Sequence, residues 1–318
     1  MWLKKEAIIL LNMGGPNNLE EVEMFLRNMF SDKHILTIKS DFMRKIVGGM
    51  IVFNRTESSQ EIYRQLGGKS PIVGHTKSLV KKLQDKVGND VIVDFVMRYT
   101  PPFANEVIER LNKENVDRIY LIPLYPQQSS TTTKSSLEDF EENYHDSDGS
   151  AVLVEIKHFF EDETYNRAII QRIKERVEDG EYNDFDLIFS AHGLPQKIID
   201  AGDVYEKHIS RHVELLKKML QDEGMDFHEV HLAYQSKVGP MEWLKPSLED
   251  KLKTVRNRGV VVFPIAFTID NSETDFELDI EYREIAEDLG FKEYRVCRCP
   301  NDSELFVESL FGIYEKMK

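Results

Sequence analysis

Ala7-Ile8-Ile9-Leu10-Leu11 is an unbroken apolar run, and short apolar runs of this kind recur along the chain. Continuous apolar runs are typical of parallel strands that are covered on both faces, whereas half-exposed strands alternate apolar and polar residues. The runs predict four strands in each half of the chain, at residues 7–11, 91–96, 119–122, 151–154, 187–189, 230–234, 260–263 and 294–296.

Helical patterns separate these runs, for example at residues 19–30, which follow the candidate N-caps Asn17 and Asn18, and at residues 204–220. Strands that alternate with helices predict an α/β fold. Because the chain has 318 residues, we expect two doubly wound, Rossmann-like domains, each built on a four-stranded parallel sheet.

The acidic, turn-rich stretch 138–150 predicts a domain boundary that falls in this stretch or shortly after it. We therefore expect an N-terminal domain at residues 1–150 and a C-terminal domain at residues 151–300. A final helix, at residues 301–318, can pack back on the first domain.

In open parallel sheets, ligands bind beyond the carboxyl ends of strands, so functional residues are expected just after the apolar runs.

The chain carries 41 basic and 56 acidic side chains, which gives a net charge of −15. Nucleic-acid binding relies on Lys and Arg that neutralise phosphates, so this balance argues against it. Glu6 interrupts the apolar run that a signal peptide needs, and no stretch of 18 apolar residues predicts a membrane span. We expect a cytoplasmic protein.

Cys297 and Cys299 are the only cysteines of the chain. Along an extended strand their Cα atoms lie near the upper limit of disulfide geometry, so we expect a reduced pair near the end of a strand. Two thiols cannot supply the four ligands of an iron–sulfur cluster, so no [2Fe–2S] cluster is expected.

Two loops at predicted strand ends carry titratable side chains. Ser190-Ala191-His192-Gly193-Leu194-Pro195 follows the fifth strand, and residues 264–273 follow the seventh and open a helix that carries Glu273, Glu277 and Glu281. The spacing i, i+4, i+8 stacks the three carboxylates on one face, which either faces water or lines a path for cations. An isolated histidine can simply bind nearby loop backbone.

A neutral imidazole and a carboxylate at adjacent strand ends can bind a divalent ion together. The same two groups can remove protons near neutral pH. A metal-insertion enzyme needs both capacities, so His192 and Glu273 together predict more than either does alone.

Eight short motifs occur in order along the chain: Leu11-Asn12-Met13-Gly14-Gly15-Pro16, residues 63–71, Met97-Arg98-Tyr99-Thr100-Pro101-Pro102, and residues 123–127, 129–133, 190–195, 234–240 and 270–281. Each motif alone is weak evidence, but each one lies where the strand–loop pattern puts it. In this order they resemble the ferrochelatase family along nearly the whole chain.

The resemblance implies a chelatase-like lyase that inserts Fe²⁺ into protoporphyrin IX to form protohaem, the last step of haem biosynthesis. It implies that His192 and Glu273 face each other across the porphyrin cleft. One of them, His192 in preference, takes protons from the pyrrole nitrogens, and both can hold the iron. Glu277 and Glu281 continue the row of metal ligands outward.

The resemblance also implies the substrate-binding residues. The macrocycle pocket is expected to be lined by Met13, Tyr99, Tyr125, Trp243 and Phe267. The propionates are expected to bind Arg55, Tyr63 and Ser70, because a guanidinium and hydroxyls suit carboxylates. Arg98 and Gln235 complete the set. Trp243 as a core residue and Arg55 as a surface ion pair remain alternatives.

The segment at about 41–56 is strongly apolar and also carries Arg44, Lys45 and Arg55. If it is helical, six side chains form one broad apolar stripe: Phe42, Met43, Ile46, Val47, Met50 and Ile51. By resemblance it forms a lip over the porphyrin pocket that touches the membrane surface. An ordinary core helix is the alternative, although Gly48-Gly49 favours a mobile segment.

Several points stay open at this level. Many family members carry a histidine where this chain has Asn271, and an amide cannot titrate at neutral pH. The expected partners are porphyrin and ferrous iron, with no resident cofactor, and the chain is a monomer or a weak dimer. The 11–16 and 129–133 motifs resemble the protoporphyrin branch, but coproporphyrin stays open, as does which of His192 and Glu273 first receives the metal.

Two other functions are carried as alternatives. One is a cobalt chelatase that acts on a sirohydrochlorin-type tetrapyrrole, although such relatives use histidine-rich sites and this chain offers carboxylates with one histidine. The other is a haem- or metal-binding protein without catalytic activity. That alternative explains metal ligands but not a base beside them.

Overall fold

The structure is a computed structural model, and it describes residues 5–145, 147, 149–237, 239–255 and 259–318. Asp146 and Asp148 of the expected boundary stretch, Val238 of the 234–240 motif, and residues 1–4 and 256–258 lie outside the described residues. The chain divides into two units. The first comprises Met1–His158 with Leu310–Lys318, and the second comprises Phe159–Ser309.

The first unit is built on a four-stranded parallel sheet with the strand order β2-β1-β3-β4. Its central strand holds the run 7–11, whose side chains are almost fully buried because neighbours cover both faces of the sheet. The strands are β1 (Lys5–Asn12), β2 (Val91–Met97), β3 (Val116–Pro123) and β4 (Val152–Glu155).

Strand β4 decides where the first unit ends. Residues 152–155 pair in parallel with β3, from Arg118↔Val152 to Leu121↔Glu155, so this strand belongs to the first sheet. The division between the two units falls after His158, shortly after the stretch 138–150.

Amphipathic helices cover the first sheet. Helix α4 buries Ala104, Val107, Ile108 and Leu111, the i, i+3, i+4, i+7 spacing of one helical face. The helices are α1 (Glu21–Ser31), α2 (Asp41–Gln65), α3 (Ile72–Val87), α4 (Ala104–Lys113) and α5 (Ser135–His145), and Ser130–Lys134 forms a short π-helical turn before α5.

The second unit repeats the architecture with the strand order β6-β5-β7-β8. Strand β7 is buried along its whole length. The strands are β5 (Phe185–His192), β6 (Val230–Gln235), β7 (Gly259–Pro264) and β8 (Glu293–Val296), and the helices are α6 (Glu163–Lys174), α7 (Gln196–Asp200), α8 (Tyr205–Asp222), α9 (Leu248–Thr254) and α10 (Tyr282–Asp288). Two four-stranded parallel sheets confirm the predicted α/β fold class.

Helix α11 (Glu304–Met317) ends the chain, and its residues from Leu310 onward belong to the first unit. Tyr314 Oη donates a hydrogen bond of 2.6 Å to Glu6, and the Tyr314 ring packs edge-on against Tyr120 with centroids 5.0 Å apart. These contacts fix the last helical turns against β1 and β3.

The helix expected from Glu273 to about residue 289 is two elements. Residues Glu273–Glu281 form a π-helix, and α10 follows. A π-helix places i→i+5 hydrogen bonds where an α-helix has i→i+4, is rare, and occurs frequently at functional sites. The carboxylate row is therefore carried by a wider helix than the sequence spacing predicts.

Helix α2 contains the expected lip and is neither a pure core helix nor a free lid. Val52 and Tyr63 pack against α1, and a side chain at Gly48 would lie 2.9 Å from the Phe30 carbonyl oxygen, so glycine allows the two helices to approach closely. The opposite face exposes five large apolar side chains, namely Phe42, Met43, Ile46, Met50 and Phe53. Val47 and Ile51 are half-buried.

Neither α2 nor any other helix in the described ranges is long and apolar enough to cross a membrane. The five exposed side chains of α2 (Phe42, Met43, Ile46, Met50 and Phe53) are called the apolar lip below.

Candidate active site

His192 and Glu273 form a hydrogen-bonded pair at the carboxyl edge of the second sheet. His192 ends β5, and Glu273 opens the π-helix that follows β7. The His192 Nδ1 and Glu273 Oε2 atoms are 2.7 Å apart, and the two side chains are 36% and 30% exposed. The strand-end rule thus brings together two side chains that are 81 residues apart in sequence.

The two groups shift each other's pKa in opposite directions. Burial lowers the pKa of His192, but the charge and hydrogen bond of Glu273 outweigh it and raise the pKa above its ordinary value. Burial raises the pKa of Glu273, but His192 and the Ser236 hydroxyl lower it below its ordinary value. Each partner therefore stabilises the charged form of the other.

The loop after β6 binds the second carboxylate of the row. The Ser236 N–H and the Gln235 Nε2 amide donate to Glu277 over 2.7 and 3.1 Å. Ser236 Oγ lies 2.6 Å from a Glu277 oxygen and 3.2 Å from a Glu273 oxygen, so its single proton can serve either carboxylate. Ser236 links the two acids from a left-handed backbone conformation, with φ of 65°.

Glu277 differs from its neighbour in protonation. Burial, followed by the negative charge of Glu273, raises the pKa of Glu277 to about 7. Two nearby carboxyls resist carrying full charge together, so the second acid holds a proton near neutral pH. The site thus contains a charged acid and an acid that can give up or accept a proton at neutral pH.

The pH dependence of stability is expected to report this proton. Because the pKa of Glu277 is about 7 in the folded protein against an ordinary 4.5, its contribution to stability is full below about pH 4.5 and is lost as the pH rises through 7. Glutamine does not ionise, so Glu277→Gln does not lose stability as the pH rises. Its Tm at pH 8.5 should therefore exceed that of the wild type by roughly 2–4 °C, which corresponds to about 1 kcal/mol in the free energy of unfolding.

Thermal unfolding of both proteins from pH 5.5 to 8.5 measures this difference, which should shrink toward pH 5.5. Glu214→Gln, on the exposed side of α8, is the matched control because it removes a carboxylate without touching the site. Parallel Tm profiles for Glu277→Gln and the wild type across this range would contradict a neutral-pH proton on Glu277.

Glu281 lies apart from the other members of the row. The residue is exposed at the last position of the π-helix. Its carboxyl is partly buried, and this burial together with the negative charge of the nearby Glu284 raises the pKa of Glu281. The structure therefore brings together His192, Glu273 and Glu277 and leaves Glu281 at the surface. Among the described residues, no three His, Cys, Asp or Glu side chains are arranged to enclose a metal ion as they stand.

Backbone contacts fix the position of His192. The Tyr205 hydroxyl donates to the His192 carbonyl over 2.9 Å, and the Gly193 N–H donates to the Gln235 carbonyl over 2.8 Å. A side chain at Gly193 would lie 2.7 Å from that same carbonyl oxygen, so the motif needs glycine here. The loops after β5 and β6 can therefore lie side by side.

Asn271 acts on Glu273 through the backbone. Its Oδ1 accepts the Glu273 N–H over 2.8 Å, and its Nδ2 donates to the Ile269 carbonyl over 3.1 Å. This is a capping interaction that fixes the start of the π-helix. The amide thus orients the catalytic candidate although it cannot titrate.

The other expected contacts of the second unit lie near these loops. Trp243 is half-buried and forms an isolated antiparallel β-bridge with Pro195, in the loop that follows His192. Phe267 is half-buried after β7. Gln235 is fully buried, and its Oε1 accepts the Ser190 hydroxyl over 2.8 Å. Gln235 therefore has a structural role at the end of β5, and its expected contact with the substrate stays a prediction.

The first unit gathers most of its expected substrate-binding residues at its own strand ends. The Arg98 and Tyr99 N–H groups donate to the carbonyls of Asn12 and Met13 over 2.8 and 2.9 Å. Ser70 N donates to the Pro16 carbonyl over 2.8 Å, so the 63–71 motif meets the 11–16 motif.

The side chains of this group differ in exposure. Met13 is half-buried, whereas Tyr63, Ser70, Tyr99 and Tyr125 are buried. The Tyr125 hydroxyl lies 3.0 Å from that of Ser136.

Arg55 differs in its exposure from the other substrate-binding residues expected in the first unit. It is exposed on α2, and its guanidinium makes no ion pair with any described residue. Ser236 and Tyr205 are the site residues that sequence reasoning missed. Ser236 lies within a matching motif just after a strand, which is a usable signal, whereas nothing local marks Tyr205.

The chain matches the family model described as Ferrochelatase over residues 5–318. It is 69% identical to the ferrochelatase of Sulfurimonas denitrificans, over 99% of this chain and 100% of that protein. It is 50% identical to the ferrochelatase of Nitratiruptor sp., over 98% of this chain and 100% of that protein.

Among solved structures, the chain is similar to the sirohydrochlorin chelatase SirB from Bacillus subtilis subspecies spizizenii in complex with cobalt, with a TM-score of 0.60, 10% identity and coverage of 98% and 95% of the two chains. SirB from Bacillus subtilis with Fe³⁺ matches with a TM-score of 0.58, 12% identity and the same coverage. At these identities the likeness shows the fold alone. The family model and the curated relatives cover nearly the whole chain, and the chain therefore belongs to the ferrochelatase family, enzymes that insert a metal ion into a porphyrin in haem synthesis.

Proposed function

We propose that this protein inserts Fe²⁺ into protoporphyrin IX to form protohaem. The observation that carries the proposal is the His192–Glu273 pair, with 2.7 Å between Nδ1 and Oε2 at a sheet edge. Insertion requires the loss of two pyrrole N–H protons and a ligand set that releases the metal. An imidazole beside carboxylates meets both requirements.

His192 is assigned the role of base. In the neutral tautomer, its Nδ1–H donates to Glu273, which leaves the lone pair of Nε2 to accept a pyrrole proton. The imidazolium that forms is stabilised by the carboxylate already in contact with it. Glu273 thus orients the base before proton transfer and balances its charge afterwards.

The carboxylates are assigned to the metal and to the second proton. Oxygen and imidazole donors suit a divalent iron ion, and Glu273 and His192 can release it because two protein ligands hold an ion weakly. Glu277, with a pKa of about 7, is partly ionised near neutral pH, and its ionised form can accept the second proton once the Ser236 hydroxyl releases it. Glu281 is assigned the first contact with hydrated iron, since it is exposed.

The porphyrin is assigned a set of apolar, aromatic and polar contacts. The macrocycle contacts are Met13, Arg98, Tyr99, Tyr125, Gln235, Trp243 and Phe267, and the propionate contacts are Arg55, Tyr63 and Ser70. A planar macrocycle points its nitrogens inward, so part of the binding energy of these contacts can offset a distortion that tilts the lone pairs toward the metal. No redox change and no nucleotide is needed.

An anaerobic assay with purified protein tests the proposal against its rivals. Protoporphyrin and coproporphyrin are each offered with Fe²⁺, and sirohydrochlorin is offered with Co²⁺, while product absorbance is followed. Protohaem formation faster than either other product supports the proposal. Faster iron insertion into coproporphyrin would identify coproporphyrin as the substrate. Cobalt insertion alone would identify a cobalt chelatase, and porphyrin binding without product would identify a binding protein.

We also propose that the apolar lip contacts a membrane surface through which porphyrin arrives. Phe42 and Phe53 are 71% and 86% exposed, and the exposed basic residues Lys45 and Arg55 lie on the same helix. Apolar side chains beside basic ones are typical of interfacial helices, whose binding scales with buried apolar area and with attraction to anionic lipids. The cytoplasmic location expected from the sequence stays a prediction.

Met43→Ser with Ile46→Ser is expected to weaken binding to anionic liposomes by roughly tenfold or more. Together the replacements remove about four apolar groups, each worth up to roughly 0.8 kcal/mol when fully inserted, and a tenfold change needs about 1.4 kcal/mol. The porphyrin KM should rise, while Tm should change little because both side chains are exposed. The matched control is Met241→Ser with Leu289→Ser, two exposed apolar residues of the second unit. Equal liposome binding by both double variants would remove the lip from membrane contact.

A further inference from the structure

Asp32 is a buried carboxylate in the first unit that follows helix α1 and is 4% exposed. The Tyr99 hydroxyl donates to it over 2.8 Å, the His34 N–H donates over 2.7 Å, and the Ser135 hydroxyl donates to the same oxygen as Tyr99. The Arg98 guanidinium lies 3.5 Å from that oxygen. One side chain thus collects contacts from three separate segments of the chain.

Arg98 is bound on its other edges as well. Its Nε donates to the Ser135 hydroxyl over 3.1 Å, and its Nη1 lies 3.0 Å from Asp139. A cavity of about 450 Å³ borders Arg98, Asp32 and Asp139. The guanidinium also lies over the Tyr99 ring, 5.3 Å from its centroid, so these hydrogen bonds and the Tyr99 ring together orient it beside the cavity. We call Asp32, Arg98, Tyr99, Ser135 and Asp139 the Asp32 cluster.

The charges of the cluster fix the direction of its hydrogen bonds. Burial alone would raise the pKa of Asp32, but the donors Ser135, His34 N–H and Tyr99, with the Arg98 charge, lower it below its ordinary value. Burial and the negative Asp32 raise the pKa of Tyr99 well above 10. Tyr99 therefore remains a phenol that donates a charge-assisted hydrogen bond, which is stronger than a neutral one.

We propose that Asp32 is the positioning residue for the porphyrin-contacting wall of the first unit. It holds the Arg98 guanidinium in the orientation in which it contacts the macrocycle, both directly and through the buried Tyr99 ring, over which the guanidinium lies at 5.3 Å. The inference rests on the proposed function, which assigns those two side chains to the porphyrin. Asp32 is itself almost fully buried, so it acts through Arg98 on porphyrin binding and not on proton transfer or on iron.

The test uses Asp32→Asn, Tyr99→Phe and the double variant in the full-length protein. Asparagine keeps the shape of Asp32 but loses its charge, and phenylalanine keeps the Tyr99 ring but loses the hydroxyl. Each single variant is expected to raise the porphyrin KM about 5–10-fold, with kcat within twofold and the KM for Fe²⁺ unchanged. The double variant should match Asp32→Asn, because both changes break one interaction.

Asp162→Asn is the matched control for a merely structural carboxylate. Asp162 caps α6 by accepting the Tyr165 N–H over 3.0 Å and also accepts the Ser309 hydroxyl over 2.8 Å, all within the second unit. Its loss should lower Tm and leave the porphyrin KM at the wild-type value.

A wild-type porphyrin KM in folded Asp32→Asn, or single-variant effects that multiply in the double variant, would overturn the inference. If Asp32→Asn does not fold, Tyr99→Phe decides alone, and an unchanged KM overturns it. If the wild type inserts no iron, the proposed function fails. Porphyrin Kd values from fluorescence quenching on the same variants then decide about Asp32, with the same fold-changes expected.

Discussion

His192→Ala is expected to lower the rate of iron insertion by roughly 10²–10⁴-fold, the range that a general base contributes. Porphyrin binding should persist, because the side chain contributes one contact to a large apolar surface. Turnover and quenching of porphyrin fluorescence, measured on the same samples, separate the two effects. Activity within a few-fold of wild type would remove His192 from the mechanism.

His228→Ala is the matched control for this variant. His228 lies in the same unit and also pairs through Nδ1 with a carboxylate, Asp186, at 2.8 Å. Asp186 likewise raises the pKa of His228 above its ordinary value. The two pairs differ in place, since Asp186 lies at the start of β5 and His192 at its end. Full activity of His228→Ala would show that position at the carboxyl edge matters, beyond pairing itself.

Glu273→Gln is expected to lower turnover by a comparable factor, roughly 10²–10³-fold. Glutamine keeps the shape of the side chain but removes the charge that balances the imidazolium and attracts iron. Burial, which lowers the pKa of His192, would then act without the opposing effect of Glu273. The acidic limb of the residual pH–rate profile should therefore shift to lower pH.

Substitution of the other two carboxylates is expected to affect turnover less than Glu273→Gln does. Glu277→Gln should lower turnover less and raise the KM for Fe²⁺, since Glu277 is only partly ionised near neutral pH. Glu281→Gln should have the smallest effect, because that side chain is exposed and lies apart from the pair. If all three glutamine variants kept the wild-type KM for Fe²⁺, the row would be a solvated face and not a path for iron.

The fold was predictable because its central strands are buried on both faces. The run 7–11 lies inside β1, and its continuity follows from cover on both sides of a parallel sheet. The edge strand β4 has the same apolar signal as the central strands, so the sequence predicts its existence but not its partner. Its pairing with β3 is a tertiary fact, and it moves the end of the first unit beyond residue 150.

The pair of the candidate site was predictable from the strand-end rule, but its surroundings were not. The His192 and Glu273 loops follow neighbouring strands, and parallel pairing of β5 with β7 brings those ends together. Ser236 binds Glu277 across 41 residues of sequence, and Ser135 binds Asp32 across 103. No local pattern records such contacts, because each depends on how loops from different strands meet.

The π-helical turns were also beyond sequence reasoning. The spacing of Glu273, Glu277 and Glu281 fits an α-helix, and the wider turn depends on i→i+5 hydrogen bonds that side-chain spacing does not specify. Gly48 gives a second example. Its lack of a side chain suggested a mobile helix, whereas it allows close packing against Phe30 of α1.

Formation of haem under anaerobic conditions is the direct test of iron insertion into protoporphyrin IX by the His192–Glu273 pair. Purified wild-type protein with protoporphyrin IX and Fe²⁺ is followed by the loss of porphyrin fluorescence and the gain of haem absorbance, beside Glu273→Gln at equal porphyrin saturation. We expect haem formation proportional to the wild-type protein concentration and a rate at least about 100-fold lower for Glu273→Gln. Saturable porphyrin binding without haem at any iron concentration, or equal rates for the two proteins, would contradict it.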